Sequence, residues 1–413
     1  MSAAEAAPQS AGHPRRFVAL LVLTLGVITA TGPLATDLYL PAFPEIAKDL
    51  DAPQSHIQLT LTSAMFGLAV GQMIIGPMSD AFGRRRPLLI GTAIFTVASF
   101  LCVFVPSAGV FIALRFVQGA AGAAGAVIAR AIVRDHFSGD AITKFFSRLV
   151  LVTMLAPMLG PILGAQLLRV GPWQVGFIVL TVVSIIGMVL VYFALPESLP
   201  ASQRRATTPA ALLNVVRRLI ADPRFIGPAL TLALVFGGLF TYISSFSFVA
   251  QEQLGATAQQ YSYVFGINTL AMLGGTQING FLIGRVGTRS RLIAGLAGSC
   301  VGVLALAILD VSGATDLVSL TIALAILMLS LGMVFPNCTS LALASQPASV
   351  AGTGSALIGT LQFGLGGAIP AAAAWTPDGR VSLASMVIVM LSAILVAVPV
   401  FALFGVRATR YAD

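Results

Sequence analysis

The sequence predicts an all-α polytopic membrane protein, with twelve transmembrane helices in two six-helix bundles related by a pseudo-two-fold axis along the membrane normal. Three observations carry that reading. Of 413 residues, 57% are hydrophobic and only 9% charged, where soluble domains run at about 25% charged. Apolar stretches of about 20 residues, the length a helix needs to cross the hydrocarbon, recur along the whole chain. Two glycine-hinged arginine loops sit at equivalent places in its two halves: Gly76, Gly83 and Arg85 map onto Gly280, Gly287 and Arg289 with one offset of 204 residues. A parallel repeat of that period implies a duplicated bundle with its axis along the membrane normal.

Taken in order, residues 1–16 are a short polar tail. The apolar run near 17–43 follows Arg15 and Arg16 and continues through Asp37-Leu38-Tyr39-Leu40-Pro41 without a small-residue cleavage site. It reads as a retained span and not as a removable signal peptide. Further spans lie near 56–76, 87–105, 109–130, 145–168 and 174–195. The longest segment that is not apolar runs from Pro196 to about Pro223, with paired arginines at 204, 205, 217 and 218, and reads as a linker. Six more spans follow near 225–250, 260–283, 291–309, 316–336, 350–374 and 381–405. The organisation is then a tail (1–16), a first bundle (17–195), a linker (196–223), a second bundle (224–405) and a tail (406–413).

Basic residues beside spans are retained in the cytoplasm. Assigning loops alternately puts 19 of the 23 Arg and Lys on one side, among them Arg84 to Arg86, Arg130, Arg134, Arg204, Arg205, Arg285 and Arg289, against Lys48, Arg169 and Arg380 on the other. Both termini are expected in the cytoplasm. The net charge of +8 is thereby a topology signal, and no nucleic-acid partner is called for.

Several chemistries are disfavoured. Cys102, Cys300 and Cys338 are odd in number, lie in apolar spans and have no paired spacing, and His13, His56 and His136 are scattered, so neither a disulfide framework nor a metal site is expected. A phosphate-binding Gly-x-x-x-x-Gly-Lys loop needs a lysine, and neither Lys48 nor Lys144 carries that pattern. No nucleophile and base constellation appears in the spans, so an enzyme is not expected.

Gly76-x-x-x-Asp80-x-x-Gly83-Arg84-Arg85-Arg86, between the second and third spans, with two six-helix halves and a linker, resembles the major facilitator superfamily. Arg115-Phe116-Val117-Gln118-Gly119 resembles its fourth-span signature, and Gly160-Pro161-x-x-Gly164 the signature associated with antiporters. With Asp37-Leu38-Tyr39-Leu40-Pro41-Ala42-Phe43-Pro44 and Pro196-Glu197-Ser198, the set is similar to the Bcr/CflA subfamily of bicyclomycin and chloramphenicol exporters. The resemblance covers the chain, with its sharp motifs in residues 37–198. It implies a monomeric drug:proton antiporter of the bacterial inner membrane that exports amphiphilic, mainly neutral antibiotics. Protons are the coupling ion, and no cofactor is needed. An exporter of a sugar, nucleobase or amino acid would share the fold.

Each motif has its own physics. The glycines at 76 and 83 let helices approach, while Asp80, Arg84 and Arg85 form a candidate cytoplasmic gate. Asp80 would pair with a neighbouring arginine or face the amino end of the eleventh span, whose dipole suits an anion. In the fifth span, Pro157 and Pro161 remove backbone hydrogen bonds and Gly160 and Gly164 permit close approach, which makes a bend suited to sealing the two halves against ion leak. Asp37 and Arg115 are charges inside spans, each costing at least about 2.5 kcal/mol on insertion scales. If the first helix runs out to Phe43, both lie on the order of 9 Å below the outer boundary and could share one cavity. Asp37 is the candidate proton carrier, because burial disfavours its charge and Arg115 favours it. Tyr39, Gln118, Phe240, Phe265 and Asn268 are candidate cavity residues, offering aromatic faces and polar handles.

Overall fold

The computed structural model describes residues 15–137, 140–204, 209–347, 350–374 and 380–404, and helices account for nearly all of them. The first half comprises α1 (Arg15–Asp37), a short α2 (Phe43–Asp49), α3 (Gln54–Phe82), α4 (Arg85–Leu101), α5 (Ala108–His136), α6 (Asp140–Leu167) and α7 (Gln174–Ala194). A linker helix α8 (Pro209–Ala221) leads to α9 (Pro223–Phe248), α10 (Ala258–Leu282), α11 (Thr288–Ser312), α12 (Leu317–Ala344), α13 (Ala351–Ala368) and α14 (Leu383–Phe404).

Ten of these helices are long and apolar enough to cross a membrane among the described residues. The other two long ones, α6 at 28 residues and α10 at 25, also have the length. Much of the polarity of α10 is turned inward, since Ser262, Asn268 and Asn279 are buried. Two boundaries differ from the sequence expectation. The first helix stops at Asp37 and gives way to a tight turn at Leu40–Ala42 and then α2. Proline at 41 lacks an N–H and disfavours helix in the residue before it, so α1 cannot run on to Phe43. The linker is likewise structured, with a turn at Ala201–Gln203 and α8 packing on α9 and α13.

The duplication seen in the arginine loops recurs in the packing. In the first half α3 lies against α5, and a side chain at Gly71 would collide with the carbonyl oxygen of Ala120. In the second half α10 lies against α12, where Gly275 meets the carbonyl of Leu329 in the same way. Gly71 and Gly275 are again 204 residues apart. Membrane helices lack a hydrophobic drive to associate, so such small-residue contacts do much of the holding. The innermost helix is α9, which packs on α12, α13 and α14 and is buried at every position from Val235 to Phe248.

The halves meet along two seams, α3 on α13 and α6 on α10. On the arginine-poor face the seam is closed by hydrogen bonds. Ser247 donates to the carbonyl of Leu40 (2.7 Å) and Gln251 to that of Pro41 (3.0 Å). Ser262 donates to the carbonyl of Pro161 (2.8 Å), and Gln58 to the Ser245 hydroxyl (2.8 Å).

Candidate translocation site

The end of α1 meets the antiporter-like segment of α6 at the seam. A Cβ added to Gly160 would lie 2.8 Å from Cβ of Asp37, and one added to Gly164 would overlap the carbonyl oxygen of Leu38. These glycines are therefore what lets α6 lie directly on the α1 break. Pro157 and Pro161 lie within the same helix, and the carbonyl of Pro161 receives the bond from Ser262 of α10. The packed stack of α1, α6 and α10 encloses Asp37, which is only 4% exposed although it is the last residue of its helix. Its carboxylate accepts no hydrogen bond from any described residue. Across the seam stands Tyr261, whose hydroxyl is buried and unpartnered.

Arg115 is placed differently from the shared cavity that equal depth suggested. It points into the interior of the first bundle, is 0% exposed, and stacks under the ring of Tyr39 at 4.4 Å, with Phe177 of α7 at 5.9 Å. Its guanidinium donates to Gln118, which in turn donates to Ser99 of α4 (2.7 Å). Tyr39 is held by Thr60 of α3 at 3.0 Å and by edge contacts to Phe43, Phe111 and Phe177. Asp37 and Arg115 form no ion pair, whereas Arg84 pairs with Asp80 and Asp135. The reason is the turn after α1: Asp37 and Tyr39 leave it in different directions, one to the seam and the other to the bundle core.

The second-half candidates lie inside the protein and not against lipid. Phe240 stacks on Phe236 at 4.5 Å, and Phe236 continues to Phe335 and Phe363. Phe265 lies nearly parallel to Tyr242, 5.8 Å away, and Asn268 donates to the Tyr242 hydroxyl at 3.1 Å while its own carbonyl oxygen is buried without a donor. Unpaired buried polar atoms are rare and call for an explanation. Here Tyr261 and Asn268 offer two of them on one helix, seven residues apart.

At the arginine-rich face, Arg84 is the hub. It binds Asp80, the Ser79 hydroxyl (2.8 Å) and Asp135 of α5 (3.1 Å). Asp80 pairs with this arginine, and no bond joins it to α13 among the described residues. Gly83 adopts φ +91°, open to glycine, and a side chain there would strike the Glu197 carboxylate. Glu197 caps the start of α4 by accepting the N–H of Arg84 (2.7 Å) and of Arg85 (3.2 Å). Arg85 itself donates to the carbonyl of Tyr192 and covers that ring at 5.5 Å. Gly76 does not provide the close helix approach expected of it, since only Val127 lies near, at 3.9 Å; the close contact of α3 with α5 falls at Gly67 and Gly71 instead. Thr60, Ser99, Asp135 and the capping role of Glu197 had no local signal, since their partners lie up to 113 residues away.

The family model described as Major Facilitator Superfamily matches residues 25–371. The chain belongs to the major facilitator superfamily. It is 39% identical over 349 residues to the uncharacterized MFS-type transporter YdgK of Bacillus subtilis, covering 84% of this chain and 86% of that one. It is 33% identical over 359 residues to a bicyclomycin resistance protein homolog of Haemophilus influenzae, covering 84% and 87%. Among solved structures it resembles a D-xylose-proton symporter, with a TM-score of 0.72, 17% identity and coverage of 94% and 98%, a likeness of fold. The pseudo-symmetric pairing of α3 with α5 and of α10 with α12 is thus the architecture of a superfamily transporter, a membrane protein with its arginine loops on one face.

Proposed function

We propose that this superfamily transporter is a proton-coupled efflux antiporter for amphiphilic, mainly neutral antibiotics such as chloramphenicol, florfenicol or bicyclomycin, working by alternating access across the bacterial inner membrane. Its arginine-rich face is cytoplasmic, as retention of basic loops requires. Asp37 carries the reading: a carboxylate 4% exposed, at the seam between the halves and directly against Gly160 of the antiporter-like segment. A buried carboxylate without hydrogen-bond donors is costly when charged. Opening the seam between α6 and α10 would admit outside water to it, and closing the seam would favour the protonated form. Substrate held between Phe265, Asn268 and Tyr261 on one side and the α1 break on the other competes with that proton. The relative named for bicyclomycin resistance supports the substrate class. Asp80 pairs with Arg84 in this structure, and a contact of its loop with the start of α13 would form when the cytoplasmic side closes.

The test is proton release from acid-loaded everted vesicles on adding chloramphenicol, florfenicol, bicyclomycin and a cationic dye in turn. Alkalinisation of the lumen is expected for the neutral drugs and is lost in Asp37→Asn. Silence for every drug in the native protein would overturn the reading in favour of export of a metabolite. Drug-evoked release that survives Asp37→Asn would move the coupling to another residue.

A further inference from the structure

On the arginine-poor side of the molecule, α6 and α7 follow each other in sequence and both pack on α1, but hardly on one another. Between them, with α1 as its floor, lies a crevice of about 190 Å³. Its floor is Leu34 and Leu38, and its walls include Leu163 and Leu167 of α6 and Val179 and Val183 of α7. Its lining is almost wholly apolar, so water entering it would find few partners.

The medium decides what fills it. Leu163 is 48% exposed and Val179 36%, on helices that span the bilayer, so the crevice opens to hydrocarbon. Its one polar lining residue, Gln166, lies at the end of α6 and accepts a hydrogen bond from Arg169, itself exposed just beyond the helix. Arg169 is one of only three basic residues assigned to this face. An apolar slot with a single arginine at its mouth matches a phospholipid: tail in the slot, phosphate on the guanidinium.

We propose that the crevice between α1, α6 and α7 binds one acyl chain of a phospholipid in the leaflet of the arginine-poor face, with Arg169 holding its phosphate. The site backs onto the α1 break. Leu38 forms its floor, and the carbonyl of Leu38 is the atom on which Gly164 rests. A bound chain therefore fills the space behind the segment that holds Asp37.

The full-length protein is reconstituted in vesicles of phosphatidylethanolamine and phosphatidylglycerol containing a phospholipid with a photoreactive diazirine in its acyl chain. After illumination, adducts are mapped by mass spectrometry. Several-fold more adducts are expected at residues 163–167 and 179–183 than at Val318 and Ile322, which are exposed in the same leaflet. Leu163→Trp, from one wall, and Val183→Trp, from the other, each fill the slot and should remove the enrichment, while Arg169→Gln should lower it. Equal labelling of the crevice and the control positions would overturn the proposal. So would enrichment that persists in both tryptophan variants.

Discussion

Substituting alanine for three glycines should produce a graded series whose order follows from the geometry. Gly76 lies within α3 with only Val127 at 3.9 Å from a new Cβ, an ordinary contact. Alanine there gains about 0.8–1 kcal/mol of helix propensity, so Gly76→Ala should be neutral or slightly stabilising. At Gly160 the new Cβ stands 2.8 Å from Cβ of Asp37 and 3.3 Å from its carbonyl carbon. Those atoms are main chain or attached to it and cannot rotate away. Overpacking costs about 1–3 kcal/mol, against a propensity gain of about 1, leaving a net loss of about 0–2 kcal/mol. At Gly164 the methyl would overlap the Leu38 carbonyl oxygen, and α6 must move bodily away from α1. That loss should exceed the one at Gly160 and should abolish coupled transport or make the protein leaky to protons. Thermal unfolding of the purified protein, read with a thiol-reactive dye, is suited to the comparison because Cys102 and Cys338 are free and buried. Drug-evoked proton release in vesicles gives the functional arm. The reasoning fails if Gly164→Ala matches native stability and coupling, or if Gly76→Ala is the most damaged of the three.

Tyr39→Phe loses the bond to Thr60 and should cost about 1 kcal/mol, whereas Tyr39→Leu also loses the face offered to Arg115 and should cost about 2 kcal/mol more; equal unfolding of the two would deny the cation–π contact its weight. Glu197→Ala leaves the N–H groups of Arg84 and Arg85 uncapped, so amide exchange at the start of α4 should accelerate, with a loss of about 0.5–2 kcal/mol; unchanged exchange would remove Glu197 from that role. Asp316 caps α12 by accepting from Val318 and Ser319, and those bonds hold its carboxyl below the usual carboxylate range. Its contribution is accordingly present above the unfolded carboxylate value and lost as pH falls through the depressed one, so acidification should speed exchange of the first turn of α12, and Asp316→Asn should flatten that pH dependence.

Helix number, the repeat and the loop motif were legible because hydrocarbon allows so few solutions. A backbone without water to bond is restricted to few spanning solutions, here long apolar helices, and the 204-residue offset marks the repeat, with close packing demanding glycine at Gly71 and Gly275. The residue types of the site, Asp37, Arg115, Gly160 and Gly164, stood out for the same reason, since charge and flexibility are costly in a membrane helix. What the sequence by itself could not determine is direction. Equal depth suggested that Asp37 and Arg115 face one cavity, but the turn at Leu40–Ala42 ends α1 early and sends Asp37 to the seam and Tyr39 into the bundle, where Arg115 follows it. The partners that decide the remaining roles, Glu197 for the arginine loop, Ser99 for Gln118 and Ser262 for Pro161, come from other helices. Sequence periodicity reports which residues avoid lipid, whereas only the packing of the helices on one another decides what each buried side chain meets.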